Sequence, residues 1–225
     1  MLRNDRVNVF MKYGHYTDSH IHPDKMNLEV MIDEKCLTRD LSNPGYGSKM
    51  CNEWNRMTIS HNSVVIDGKN QDTVNAGKVE IFIDTQMRVV NEEAYSDNTK
   101  FTREINLLER GYEDKFTVKT TNRKVKDWFF HLENRIELET SLNIEEVNLG
   151  YSENGYQHLK EIKRVITSLN RVELIWNFYG NKLKSEINLE GKELFIGKSY
   201  DNPGNRFRTT LILRGTKEIE KYEVR

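Results

Sequence analysis

Apolar and polar residues alternate along most of the chain with a period of two. Val7, Val9 and Met11 share one parity, as do Leu28, Val30 and Ile32, and later Val172, Leu174, Trp176 and Phe178. In an extended chain successive side chains point to opposite faces, so this alternation predicts strands with one buried side. Further β-rich segments include SVVIDG, KVEIFID, MRVV, KFTREINLLERG, KFTVKTT, DWFFHLEN, RIELET, KSEINLEG, KELFIG and RFRTTLILRG. Turn signals separate them at Asp67-Gly68, Asn154-Gly155, Gly180-Asn181, Glu190-Gly191 and Asn202-Pro203-Gly204. Many short strands without alternating helices predict an all-β fold, a large antiparallel two-layer β-sandwich. Only Tyr156, Leu159, Ile162 and Val165 have helical spacing, and the β-rich run around them leaves helix and strand both open. With no repeat, low-complexity tract or linker, residues 1–225 read as a single β-sandwich domain. The aromatic residues Trp128, Phe129, Phe130, Trp176, Phe178 and Tyr179 fall on such strands, where core packing is favoured over a sugar-stacking platform. The charged run KEIKRV near Lys160 reads as a solvated face.

Composition narrows the partners. A hydrophobic share of 36%, a charged share of 31% and a net charge of −1 give no global attraction to nucleic acid or to an anionic membrane surface. No apolar run approaches the ~20 residues of a membrane-spanning helix. The first residues, MLRNDRVNVFMKYG, carry early charges and lack the apolar segment of a secretory signal. They read as a strand, and a chain that enters a strand so early reads as truncated at its amino-terminal edge. Cys36 and Cys51 are too few for a disulfide framework and are expected as unpaired thiols.

The candidate chemistry lies near the amino terminus. His20 and His22 stand in SHIHPDK, Asp40 follows 18 positions after His22, and His61 a further 21 on in TISHNSVVIDG. If SHIHPDK is extended, His20 and His22 share a face and present two imidazoles side by side. Two imidazoles and a carboxylate are a common ligand set for zinc with a fourth position open. Spacing alone leaves an equal alternative, in which these are polar residues at strand ends, hydrogen-bonded to backbone.

Residues 13–71 resemble the start of the carboxy-terminal β-sandwich of the heparinase II/III-like polysaccharide lyases, which include lyases for heparin-type glycosaminoglycans and alginate. The matching elements are the HxHxD string at His20, His22 and Asp24 with Lys25, the segment 40–47 ending in PGYG, and the R-x-T-x-S-H-N-x-V-x-x-D-G run from Arg56. Downstream the likeness is weaker, resting on strand-rich character and on SYDNPGNRFRTTLIL. The resemblance implies a super-sandwich and β-elimination on a uronic-acid polysaccharide. It makes His22, Asp40 and His61 ligands of a structural zinc and places His20 against the substrate; Tyr46 and Arg56 are candidates for lining the cleft. Arg56 could equally serve a surface ion pair, and Tyr46 a packed turn. Two departures stand out: Ile21 where a small residue is usual between the histidines, and Leu41-Ser42 where Pro-Gly usually follows the aspartate.

The family's amino-terminal α/α-toroid, which supplies the opposite wall of the cleft, has no counterpart in the sequence, so this chain alone is expected to be inactive. The family works mostly in the periplasm or outside the cell. The leading expectation is therefore the carboxy-terminal domain of a polysaccharide lyase with an acidic polysaccharide as partner. A non-catalytic sandwich that binds acidic carbohydrate or serves assembly is the alternative. A zinc hydrolase ranks third, because no carboxylate is placed as its general base.

Overall fold

In the computed structural model, residues 1–14 and 22–225 are described, and the alternating segments among them form eighteen strands. In chain order these are β1 (Leu2–Arg3), β2 (Val7–Met11), β3 (Leu28–Ile32), β4 (Lys35–Thr38), β5 (Val64–Ile66), β6 (Lys78–Ile83), β7 (Gln86–Tyr95), β8 (Thr99–Leu108) and β9 (Gly111–Lys119). The second half continues with β10 (Lys126–His131), β11 (Ile136–Leu138), β12 (Ile144–Glu146), β13 (Lys160–Val165), β14 (Arg171–Phe178), β15 (Asn181–Asn188), β16 (Glu193–Tyr200), β17 (Phe207–Gly215) and β18 (Ile219–Val224). They form three antiparallel sheets. A four-stranded meander runs β1-β2-β3-β4, a six-stranded sheet β12-β13-β16-β17-β10-β5, and an eight-stranded sheet β11-β14-β15-β18-β9-β8-β7-β6.

Local chemistry sets the register of the hairpins. Phe178 pairs with Asn181, leaving Tyr179 and Gly180 as a two-residue loop with φ of 52° and 84°. Two positive φ values match the loop to the right-handed twist of its strands, and glycine meets the second at no steric cost. The segment with helical spacing resolves as a single 3₁₀ turn, Tyr156–His158, followed by β13. Its apolar residues are spent on two short elements.

The main core lies between the two large sheets. Trp128, Phe130, Leu211 and Leu213 of the six-stranded sheet meet Phe101, Phe116, Leu174 and Trp176 of the eight-stranded one, and Val9 and Val30 of the meander join them. The outer face of the six-stranded sheet is not left wet. Trp54 and Ile59 from the segment before β5, with Leu149 and Tyr156, cover Val65, Phe129, Phe195 and Ile212 there. Both faces of β10 are therefore buried, and KDWFFH is inaccessible at all six positions. This explains why that strand lacks alternation. The aromatic runs are core, as expected, but divided between two clusters: Phe129 sits in the outer one, Trp128, Phe130, Trp176 and Phe178 in the main one. Cys36 and Cys51 are free thiols.

Among the described residues, one ion pair is wholly inside. Arg103 on β8 and Asp114 on β9 form a two-pronged bond, with Nε to Oδ1 at 2.9 Å and Nη2 to Oδ2 at 2.5 Å, and their side chains are 0% and 3% exposed. Arg103 Nη1 also donates to the carbonyls of Met26 and Asn62, while its plane lies over Phe116. Removing one member of such a pair leaves a buried charge uncompensated. Arg103→Leu is expected to cost about 3–5 kcal/mol, read as a lowered urea midpoint at unchanged slope.

Candidate metal centre and adjoining cleft

The turn before β3 builds half of the site. The Asp24 N–H donates to the His22 carbonyl and the Asn27 N–H to the Asp24 carbonyl, both at 2.9 Å, and Met26 has a φ of 60°. His22 therefore opens a tight turn outside any strand. Pro23 favours this, since proline fixes its own φ and restricts the residue before it. The turn brings His22 and Asp24 together. His20 falls in residues 15–21, outside the described residues.

The other half comes from four consecutive buried polar residues, Ser60, His61, Asn62 and Ser63. They run from the end of the 3₁₀ turn Thr58–Ser60 to the start of β5, in irregular backbone where the Phe129 N–H of β10 donates to the Ser63 carbonyl at 2.9 Å. Side chains meet the carbonyls on either side of His61. His131 Nε2 donates to Ile59 at 2.8 Å, Arg208 Nη2 to Ser60 at 3.0 Å, and Arg103 Nη1 to Asn62. Asn62 in turn donates through Nδ2 to the Leu28 carbonyl and to Thr38 Oγ1, both at 2.7 Å, and accepts the His131 N–H at 2.8 Å. Ser63 Oγ donates to the Lys25 carbonyl at 2.6 Å. The segment is thus tied to β3, β4, β10 and the His22 turn, and His61 has no freedom to move.

The ligand-type atoms of His22, Asp24 and His61 lie within 4.8 Å of one another. The two imidazoles are 5.3 Å apart, tilted by 45°. Asp40, just beyond β4, is placed differently: its Oδ1 accepts from His61 Nδ1 at 2.7 Å and from the Leu41 N–H at 2.9 Å. That bond assigns the proton to Nδ1 and leaves Nε2 as the lone-pair nitrogen. Nε2 is buried and has no hydrogen-bond partner among the described residues. Of the expected ligand set, His22 and His61 stand in the three-residue cluster with Asp24, and Asp40 bonds His61 Nδ1.

Electrostatics separate the two imidazoles. Burial, and next the neighbouring His61, hold His22 down at about 4, so its imidazole is neutral near pH 7. Burial pulls His61 down too, but the Asp40 charge and hydrogen bond outweigh it and the net direction is up. Burial works to raise Asp40, and the His61 partnership reverses this, holding it below the usual carboxylate range. Lys12 Nζ lies 2.5 Å from Asp24 Oδ2, so the carboxylate faces a positive charge at its outer side.

Pro23 also forms part of a polar pocket of about 310 Å³, with Asn52, Arg56, Asn70 and Asp72 among its other walls. Arg56 ends the π-helical turn Cys51–Asn55 and is half-buried. It has no ion-pair partner among the described residues. Tyr46 is 51% exposed, and its carbonyl accepts from Asn52 Nδ2 at 3.4 Å, which sets its loop beside the same pocket. Sequence reasoning did not single out Asp24, which joins His22 and His61 in the cluster, or Asn62, which ties the segment together. The signal for Asp24 was Pro23, which turns the chain between two donor residues. For Asn62 no local signal exists, because its partners come from four separate elements.

The sequence profile described as heparinase II/III-like, C-terminal matches residues 1–179. No curated protein matches by sequence. Among solved structures, a heparinase III superposes over 97% of this chain and 33% of its own length, with 16% identity and a TM-score of 0.63. The heparan sulfate lyase HepC from Pedobacter heparinus matches over 96% of this chain and 32% of its own, at 13% identity and a TM-score of 0.59. A galactose mutarotase-like protein from Lactobacillus casei matches over 100% and 97%, at 9% identity and 0.56. The chain thus spans about a third of the length of the two lyases. With the profile covering most of its residues, and an antiparallel sandwich of the same fold beneath them, the chain belongs to the heparinase II/III-like, C-terminal family.

Proposed function

We propose that this chain is the carboxy-terminal β-sandwich of a polysaccharide lyase that cleaves uronic-acid-containing polysaccharide by β-elimination. The observation that carries this reading is the cluster of half-buried His22 with buried Asp24 and His61, beside a pocket that holds an arginine without an ion-pair partner among the described residues. The cluster fits a divalent ion such as zinc: His61 offers a buried lone pair, His22 is neutral near pH 7, and Asp24 supplies the oxygen. In this reading Asp40 orients His61 from outside, as carboxylates commonly do for metal-bound histidines. A bound ion supplies fixed positive charge that fastens the His22 turn to His61.

The chemistry follows from the acidity of the substrate. The proton at C5 of a uronate is weakly acidic, and its removal places charge on the adjacent carboxylate. Arg56 is suited to hold that carboxylate, or a sulfate, through its planar fork. His20, two residues before the fastened His22, is assigned to the substrate side, and Tyr46 to the rim. A base takes the C5 proton, the electron pair forms the C4–C5 double bond, and the C4–O bond breaks as its oxygen leaves and is protonated. The opposite wall is assigned to an α/α-toroid supplied with this domain in a longer protein. A polymeric substrate of this kind is met outside the cytoplasm, so the reading includes a periplasmic or secreted place of work. No helix among the described residues is long and apolar enough to cross a membrane.

Metal analysis of the purified chain is expected to find about one zinc per chain, with chelation lowering the melting temperature. Asp24→Asn is expected to abolish zinc retention, while Asp40→Asn weakens affinity by roughly 10- to 100-fold, the usual effect of losing an outer-shell partner. The reverse ranking would make Asp40 the direct ligand. In a full-length parent, Arg56→Ala is expected to reduce the ultraviolet signal of unsaturated uronate product by raising KM more than it lowers kcat. Binding of acidic glycan with no product from the full-length protein would instead favour a non-catalytic carbohydrate-binding sandwich.

A further inference from the structure

Three rings stand in a row across the ends of neighbouring strands. Tyr200, the last residue of β16, pairs with Phe207, the first of β17, and residues paired in this way share a face of the sheet. Their rings lie 4.9 Å apart, tilted by 37°. On the side of β13 the ring of His158 meets Tyr200 edge-on, at 5.8 Å. Phe207 is 41% exposed and Tyr200 is half-buried, so the row is open to water.

The row is held from behind. The Trp54 indole N–H donates to the Tyr200 carbonyl at 3.0 Å, and the Trp54 ring packs edge-on against His158 at 6.4 Å. Glu53 Oε2 lies 3.1 Å from His158 Nε2. Glu53 and Trp54 belong to the π-helical turn Cys51–Asn55, and Asn52 of that turn, with Arg56 at its end, lines the polar pocket. One short turn therefore touches the pocket and the ring row at once.

Positive charge gathers beside the rings. Lys198, two positions before Tyr200, shares its side of β16 and stands directly opposite Lys160. Like charges in that arrangement repel. Lys198 is tied to Glu161 at 2.8 Å, while Lys160 and Arg206 are exposed and have no ion-pair partner among the described residues. A sugar ring carries an apolar face of C–H groups that packs on an aromatic face while its hydroxyls stay in water. A uronate or a sulfated sugar adds negative charge at its rim. Such a sugar answers the rings and the lysines together, whereas an apolar solute answers only the rings.

We propose that the row of His158, Tyr200 and Phe207 is a run of subsites that grips an acidic polysaccharide where it continues from the pocket. Its sugar rings stack on Phe207 and Tyr200, with their anionic groups beside Lys160, Lys198 and Arg206. The inference rests on reading the pocket as a polysaccharide cleft, and adds that the length of the glycan sets how tightly it is held. A second contact on one chain acts at high effective concentration, so it rewards a long glycan and is idle with a short one.

The probes are heparan sulfate and alginate oligosaccharides of four and twelve sugars, titrated into the 225-residue chain and followed by calorimetry. For at least one of the two glycans, the twelve-sugar form is expected to bind about tenfold more tightly than the four-sugar form. Phe207→Ala is expected to bring the two lengths within about twofold of each other and to leave the four-sugar affinity as it was. Phe207→Trp, which restores a ring, is expected to keep the length dependence, and so separates stacking from a loss of folding. Arg56→Ala is expected to weaken both lengths alike. An unchanged length dependence in Phe207→Ala would overturn the proposal while leaving the pocket reading in place. Length dependence lost in Phe207→Ala, with no effect of Arg56→Ala, would uphold the row and overturn the role of the pocket. No binding of either glycan at millimolar concentration would overturn the proposal, as would equal affinity for a neutral maltodextrin or an oligothymidylate of twelve units.

Discussion

Ser60, His61, Asn62 and Ser63 are polar, consecutive and buried, and a segment of that kind survives only if its backbone groups are met from within the protein. A sheet supplies one of these partners, the Phe129 N–H of β10 on the Ser63 carbonyl. The carbonyls of Ile59, Ser60 and Asn62 are met by His131, Arg208 and Arg103, side chains delivered by β10, β17 and β8. Both large sheets therefore converge on one short irregular stretch. The price of the arrangement is paid in buried charge: Arg103 needs Asp114, and burial lowers the pKa of Arg208 to about 10. What the arrangement secures is position, since His61 is placed by the packing of the whole sandwich and not by a loop of its own.

The two carboxylates near His61 illustrate how one imidazole is given direction. Asp40 on Nδ1 decides the tautomer, while the same imidazole also stands in the cluster with Asp24 and His22. A ligand set chosen by residue type alone treats the two aspartates as interchangeable. Their places in the fold do not, because Asp40 follows a strand and Asp24 lies in the turn that also carries His22.

The strands were legible because alternation survives wherever one face is wet, as in β14 and β8. Alternation fails in β10, where both faces are covered, and there composition alone suggested a strand. The cluster of His22, Asp40 and His61 was legible as a neighbourhood from the order of its motif residues. Its internal assignment was not, since a hydrogen bond between residues 21 positions apart depends on how two loops meet. Tyr156 to Val165 stayed open between helix and strand because apolar residues at helical spacing fall partly in a 3₁₀ turn and partly in β13.

The covering of β10 on both sides bears on how the molecule opens. Trp54 and Ile59 belong to the same stretch of chain as His61, and they form the lid of the outer cluster over Phe129 and Ile212. To lift that stretch away, the protein must expose the outer cluster and strip three carbonyls of their donors at once. Breathing of the site is therefore coupled to the breathing of the sandwich, and the amides around His61 belong with the slowest-exchanging, globally unfolding class and not with the surface loops.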